Sequence, residues 1–201
     1  LAATDMSVMI FGENGTGKEH IAHYLHDKSK RAGKPFVAVD CGSLTKELAP
    51  SAFFGHVKGA FTGADSTKKG YFYEAEGGTL FLDEVGNLAL ETQQMLLRAI
   101  QERRYRPIGD KSDRSFNVRI IAATNEDLEA AVSEKRFRQD LFYRLHDFGI
   151  TVPPLRDCQE DILPLAEFFR EIANKELECN VSGFSSEARK ALLTHAWPGN
   201  V

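Results

Sequence analysis

Ser7-Val8-Met9-Ile10-Phe11-Gly12-Glu13-Asn14-Gly15-Thr16-Gly17-Lys18-Glu19 is the stretch that decides the fold. Ser7 to Phe11 reads as a short buried strand, and Gly17 to Asp27 as the helix that follows it. Gly12, Gly15 and Gly17 between them free the backbone to turn its N–H groups around a phosphate, aided by the partial positive charge of a helix N-terminus. Lys18 then reaches the terminal phosphates as a point charge. A glycine-rich turn with no ligand is the plainer alternative, and the strand–loop–helix placement argues against it. Glu19 stands where a Ser or Thr hydroxyl normally touches magnesium. A carboxylate binds that ion directly or through water, but it also repels phosphate.

Outward from this loop, short apolar runs alternate with helix-period stretches, the pattern of an α/β domain with a mainly parallel sheet. Pro35 to Val39, Thr79 to Leu82 and Val118 to Thr124 read as further strands, the last rich in the residues that central strands favour. Leu88 to Arg103 reads as a helix, with Met95, Leu96, Ala99 and Ile100 as its core stripe. Val152-Pro153-Pro154 ends the alternation, since paired prolines stop regular structure. Beyond it the chain is helical, with Ile162, Leu165, Ala166, Phe169 and Ile172 on one face and Ala188, Ala191, Leu192 and His195 on another. Ser185 or Ser186 caps the last helix. The expected organisation is a P-loop α/β nucleotide-binding subdomain over residues 1–154 and a small helical lid over 155–201.

Composition is compatible with this and narrows the function. The chain has 201 residues, 42% hydrophobic and 27% charged, an ordinary balance for a domain with a real core. A net charge of −4 argues against a broad nucleic-acid surface. No apolar run approaches a membrane span and no signal-peptide pattern opens the chain, so a cytoplasmic protein with no membrane contact is expected. Cys41, Cys158 and Cys179 are odd in number and lack metal-ligand spacing, which suits reduced thiols. His20, His23 and His26 spread around their helix, where metal pairs favour one face.

A second chemical cluster lies at Gly77-Gly78-Thr79-Leu80-Phe81-Leu82-Asp83-Glu84, an apolar strand ending in two acids. Ligands bind at the carboxyl edge of α/β sheets. Asp83 suits Mg²⁺, and Glu84 suits orienting or deprotonating an attacking water. A solvated acidic turn is the alternative. Asn125, after the strand ending at Thr124, either projects an amide to that edge or caps the next helix. Arg138 and Arg144 sit on an expected short helix, Phe137 to Leu145, either in surface ion pairs with Asp140 or Asp147 or as fingers offered to a neighbour's nucleotide. Gly59-Ala60-Phe61-Thr62-Gly63-Ala64, continuing the basic-aromatic segment Phe53 to Lys58, places Phe61 and Thr62 at a turn tip. Such a tip either packs back onto the body or holds an aromatic out for a partner.

Together these motifs resemble the central AAA+ ATPase domain of sigma-54-dependent bacterial transcription activators, the enhancer-binding proteins, over nearly the whole chain. Gly59 to Ala64 is the most specific element. Gly12 to Glu19, Gly77 to Glu84, Arg119 to Asn125, Phe137 to Leu145, Val152 to Arg156 and Trp197 to Val201 support it. The resemblance implies that Gly12, Glu13, Asn14, Gly15, Thr16, Gly17, Lys18 and Glu19 bind ATP, Glu19 being routine there. It implies Asp83 and Glu84 as the Walker B pair, Asn125 as the γ-phosphate sensor, and Arg138 and Arg144 as trans-acting fingers. Gly59, Ala60, Phe61, Thr62, Gly63 and Ala64 would touch sigma-54, beside a second loop at about Arg106 to Phe116. It further implies a hexameric or heptameric ring, Mg²⁺ with the nucleotide, remodelling of closed to open complexes, and control of the two-component response-regulator kind. DNA would be reached only through a domain outside this stretch.

Three departures accompany the resemblance. Asp40 stands where the family usually has an asparagine that pairs with the catalytic glutamate. Cys158 replaces a second arginine after Pro-Leu-Arg, and the chain stops short of the family's second-sensor arginine. Asp40 and the missing arginine keep open a second function, a nucleotide-gated assembly module that hardly turns over.

Overall fold

The computed structural model describes all 201 residues, Leu1–Val201. Five parallel strands form the main sheet: β1 (Val8–Phe11), β2 (Phe36–Asp40), β3 (Thr79–Asp83), β6 (Arg119–Thr124) and β7 (Phe148–Thr151), in the order β2-β3-β6-β1-β7. The helices are α1 (Lys18–Asp27), α2 (Ala49–Phe54), α3 (Tyr71–Glu74), α4 (Leu90–Glu102), α5 (Leu128–Ser133), α6 (Gln139–Leu145), α7 (Gln159–Glu176) and α8 (Ser186–Thr194). A separate two-stranded antiparallel ribbon pairs β4 (Arg104–Tyr105) with β5 (Arg114–Ser115).

Burial follows the order of the strands. β6 is buried throughout, as is β3 except at Asp83, and both are central. At the edges, β2 and β7 are mostly half-buried or exposed. Strands covered on both faces must be continuously apolar, so the central ones are plain in the sequence. Phe148-Gly149-Ile150-Thr151 has no such run, and the sequence reading passes over it. On α4, Leu96, Ala99 and Ile100 are buried, and Met95 packs partly buried against them.

Backbone contacts gather the chain into two compact units: Leu1–Gly12 with Lys18–Thr151, and Glu13–Gly17 with Val152–Val201. In the second unit, Ser185 caps α8 by accepting the N–H of Ala188 at 3.2 Å. Trp197 donates from its indole to the Leu192 carbonyl at 2.9 Å. Ile162 is buried, but Phe169, Ala191 and His195 lie exposed, unlike the closed apolar faces expected from their spacing. So small a unit has too little apolar surface to cover both helix faces.

In the first unit, Phe53 and Phe54 of the basic-aromatic segment lie at the end of α2 and sit in the core. Phe72 stacks on Phe54 at 5.5 Å and meets Phe116 at 4.6 Å, with Tyr105 5.7 Å away. These rings lie at the chain positions where two loops begin and end, so the aromatic cluster serves as their common footing.

Candidate functional site

Parallel strands bring three candidate residues to one edge. Asp83 ends β3, Asn125 follows the end of β6, and Gly12 follows β1 and donates its N–H to the Thr124 carbonyl at 3.2 Å. Lys18 opens α1, is almost wholly buried, and donates from Nζ to the Gly12 carbonyl at 2.9 Å. The cation is thereby folded toward the strand end. Asn125 is exposed, and the cap of α5 is instead Asp127, whose carboxylate takes the N–H groups of Glu129 and Ala130. The helix-cap alternative for Asn125 therefore falls away.

Asp83 and Glu84 are held by local geometry. Asp83 Oδ1 accepts the backbone N–H of Glu84 at 2.9 Å. Glu84 has φ 50° and ψ 43°, a left-handed conformation that a non-glycine residue holds only when its surroundings impose it. Its Oε2 accepts from the Asn87 side-chain amide at 2.9 Å. Asp40 lies opposite Asp83 in the β2–β3 register and takes the N–H of Gly42 at 2.9 Å. Beneath them Cys41 is buried. Desolvation, then the charges of Asp40, Asp83 and Glu84, push its thiol pKa far up, so it stays protonated.

Glu13 to Gly17 belong to the second unit and are tied there by polar contacts. Arg156 makes a two-pronged ion pair with the Glu13 carboxylate, at 2.8 Å from Nη1 and 2.5 Å from Nη2. The buried Asn200 donates to the Asn14 carbonyl at 2.8 Å and accepts the N–H of Leu155 at 2.8 Å. Val201 donates its N–H to the Gly15 carbonyl at 3.2 Å. At Gly15, with φ +77°, a Cβ would lie 2.1 Å from the Gly199 carbonyl oxygen, so only glycine fits there. Sequence reasoning missed Asn200 in this role, since nothing local links it to a loop 186 positions away.

Arg138 and Arg144 do not share a helix. Arg138 precedes α6 as its cap residue, and its guanidinium pairs with Asp140 at 2.8 Å. Arg144, in the last turn, is exposed and forms no ion pair. Asp147 is engaged elsewhere, accepting the Ser7 N–H at 3.0 Å.

The Gly59–Ala64 turn closes by a 2.8 Å bond from Gly59 N–H to the Ala64 carbonyl, with Gly59 and Gly63 both at positive φ. Phe61 is 47% exposed and rests edge-on against His56 at 5.0 Å, while Thr62 is exposed. The tip is thus supported within its own loop. The second loop is fastened to it. Val57 donates to the Ile108 carbonyl at 3.1 Å, Ile108 to the Gly55 carbonyl at 2.9 Å, and a Cβ on Gly109 would come within 2.7 Å of the Ala60 methyl.

Residues 1–151 match the family described as the sigma-54 interaction domain, and residues 156–201 match an AAA+ ATPase lid domain. The chain is 49% identical over 201 residues to the transcriptional regulatory protein ZraR of Klebsiella oxytoca, covering 100% of this chain and 45% of that protein. It is 46% identical over 201 residues to the DNA-binding transcriptional regulator NtrC of Rhizobium meliloti, covering 100% of this chain and 41% of that one. Among solved structures, NtrX from Brucella abortus in complex with ATP superposes with a TM-score of 0.90 at 36% identity, over 99% of this chain and 45% of that one. The chain spans less than half the length of these relatives.

Proposed function

Because this chain belongs to the sigma-54 interaction domain family, with an AAA+ ATPase lid domain behind it, we propose that it is the ATP-hydrolysing module of a sigma-54-dependent transcriptional activator. Its work is to remodel closed complexes of sigma-54 RNA polymerase into open ones. The observation that carries this reading is the meeting of Gly12, Asp83 and Asn125 at the carboxyl edge of adjacent strands, with Lys18 folded onto Gly12.

In this reading residues 1–154 form the nucleotide-binding subdomain and 155–201 the lid. Gly12 to Glu19 bind ATP, with Lys18 neutralising its terminal phosphates. Glu84 accepts a proton from a water whose oxygen attacks the γ-phosphorus, and the bond to ADP breaks. Asn125 senses the γ-phosphate. Mg²⁺ takes one or two carboxylates together with phosphate oxygens and water, and Asp83, with only Oδ1 engaged, is the residue to hold it. That ion would draw charge from the phosphates.

The exposed, unpaired Arg144 and the readily opened Arg138–Asp140 surface pair suit fingers given to a neighbouring subunit. Head-to-tail contacts of that kind close into rings, here of six or seven copies. Phe61 and Thr62 then meet sigma-54, and the hydrogen bonds linking Val57, Ile108 and Gly55 let the two loops move as one. The protein acts in the cytoplasm, and no helix is long and apolar enough to cross a membrane.

ATP turnover per subunit, measured against protein concentration, tests the reading. It should rise steeply as rings form. Negligible turnover at every concentration of the full-length protein would overturn it.

A further inference from the structure

Between the C-terminal half of α4 and the β4–β5 ribbon, the first unit holds a cavity of about 170 Å³ that opens to solvent. Phe54, Met95, Ala99 and Tyr105 give it an apolar lining. Phe54 and Tyr105 lie 6.1 Å apart within the aromatic cluster, which holds that lining in place. The rim is a chain of three arginines and two acids. Arg98 and Arg104 donate from Nε to the two oxygens of Glu102, each at 2.9 Å. Arg106 donates from Nε to Asp113 Oδ1 at 2.7 Å, and Arg104 Nε lies 3.7 Å from Asp113 Oδ2.

Donors and acceptors on this rim do not match. All four carboxylate oxygens face an arginine Nε, while the Nη groups of Arg98, Arg104 and Arg106 make no hydrogen bond within the protein. Three guanidiniums against two carboxylates leave one net positive charge beside an apolar cavity. A cation would meet acids that are already matched. A neutral apolar molecule would leave the guanidinium N–H groups unused.

We propose that this cavity binds a small aromatic carboxylate. Its ring lies on Phe54, Met95, Ala99 and Tyr105, and its carboxylate takes Nη groups of the rim arginines. An apolar cavity of about 150 Å³ accommodates benzene, so one ring with a short acidic arm is the size that fits. The planar guanidinium fork suits a carboxylate better than any other side-chain cation does. Arg106 and Asp113 belong to the second loop, and Met95, Arg98 and Ala99 to α4, so a bound acid ties that loop to the helix.

Benzoate is the probe, in the full chain labelled with carbon-13 at its methionine methyls, and benzylamine is its cationic counterpart. The Met95 methyl should shift saturably with benzoate, at a Kd of about 1–10 mM for so small a ligand. Met6 and Met9, outside the cavity, should stay still. Benzylamine should bind at least about tenfold more weakly, since it meets the rim's net positive charge. Arg98→Gln with Arg104→Gln leaves one arginine against two carboxylates and reverses that charge. Both side chains are exposed, so Tm should stay within about 2 °C while benzoate binding weakens about fivefold or more. A Met95 methyl unmoved through about 50 mM benzoate would overturn the site. Equal affinity for benzylamine, or unchanged benzoate binding in the double variant, would overturn the anion preference and the proposal with it.

Discussion

Gln93, wholly buried in α4, accepts the backbone N–H of Arg138 through Oε1 at 2.8 Å. Its amide nitrogen donates to the carbonyls of Leu88 at 2.7 Å and Arg136 at 3.0 Å. One side chain thus fixes where the Arg138 segment enters α6. Gln93→Leu keeps the volume but leaves those three backbone groups unmatched, and each buried one costs about 1–3 kcal/mol. The variant should lose roughly 2–4 kcal/mol of stability on that principle, read from urea unfolding. At temperatures where it remains folded, turnover should also fall if Arg138 is the finger proposed above, because its backbone is no longer held. A fully stable, fully active Gln93→Leu would show that the contact positions nothing.

Glu84→Gln preserves shape and the left-handed turn while removing the proton acceptor. Nucleotide binding should stay within a few-fold of the parent, because the proposed reading gives the phosphates to Lys18 and the loop backbone and not to Glu84. Turnover should fall by about 10²–10⁴, the usual worth of a positioned general base. Isothermal titration with ATP and a phosphate-release assay separate the two. Loss of binding itself would place Glu84 among the groups that hold the nucleotide.

Thr62 is exposed at the loop tip and its side chain bonds to nothing in the protein. Thr62→Ala should therefore leave Tm and ATP turnover nearly unchanged while abolishing capture of sigma-54, assayed with a transition-state analogue of ATP. Phe61→Ala should do the same with a small added cost from the lost His56 contact at 5.0 Å. Capture that survives in both variants would mean that another surface meets the polymerase.

The central sheet was legible because strands buried on both faces must be written as apolar runs, as in Leu80-Phe81-Leu82 and Ile120-Ile121-Ala122. Phe148 to Thr151 was not, since an edge strand needs only backbone pairing with β1. The glycine loop and the Asp83–Glu84 pair were legible because backbone freedom and paired acids are properties of adjacent residues. The helix entry was misplaced at Arg138, where a side chain 45 positions away decides the boundary. The contact of Asn87 with Glu84 carried no signal in the sequence, since it depends on a turn that only the fold specifies.

The Glu13–Arg156 pair gives a pH test of the loop's second anchor. The Arg156 guanidinium, followed by the Asn200 amide, holds the Glu13 carboxyl at about 2 against an ordinary 4.5. A depressed folded pKa means that the pair's contribution is complete above about 4.5 and is lost as pH falls through about 2. Arg156→Gln removes the charge while leaving Asn200 in place. The Tm difference between parent and variant should be constant from neutrality down to pH 5, then shrink steadily toward pH 2, and an NMR titration should find Glu13 moved up toward 4.5 in the variant. The pair is solvent-exposed, so salt should also erode the difference. A Glu13 carboxyl that titrates alike in both proteins would mean that Arg156 does not grip the loop in solution, leaving Asn200 and the Gly15–Val201 bond as its fastenings.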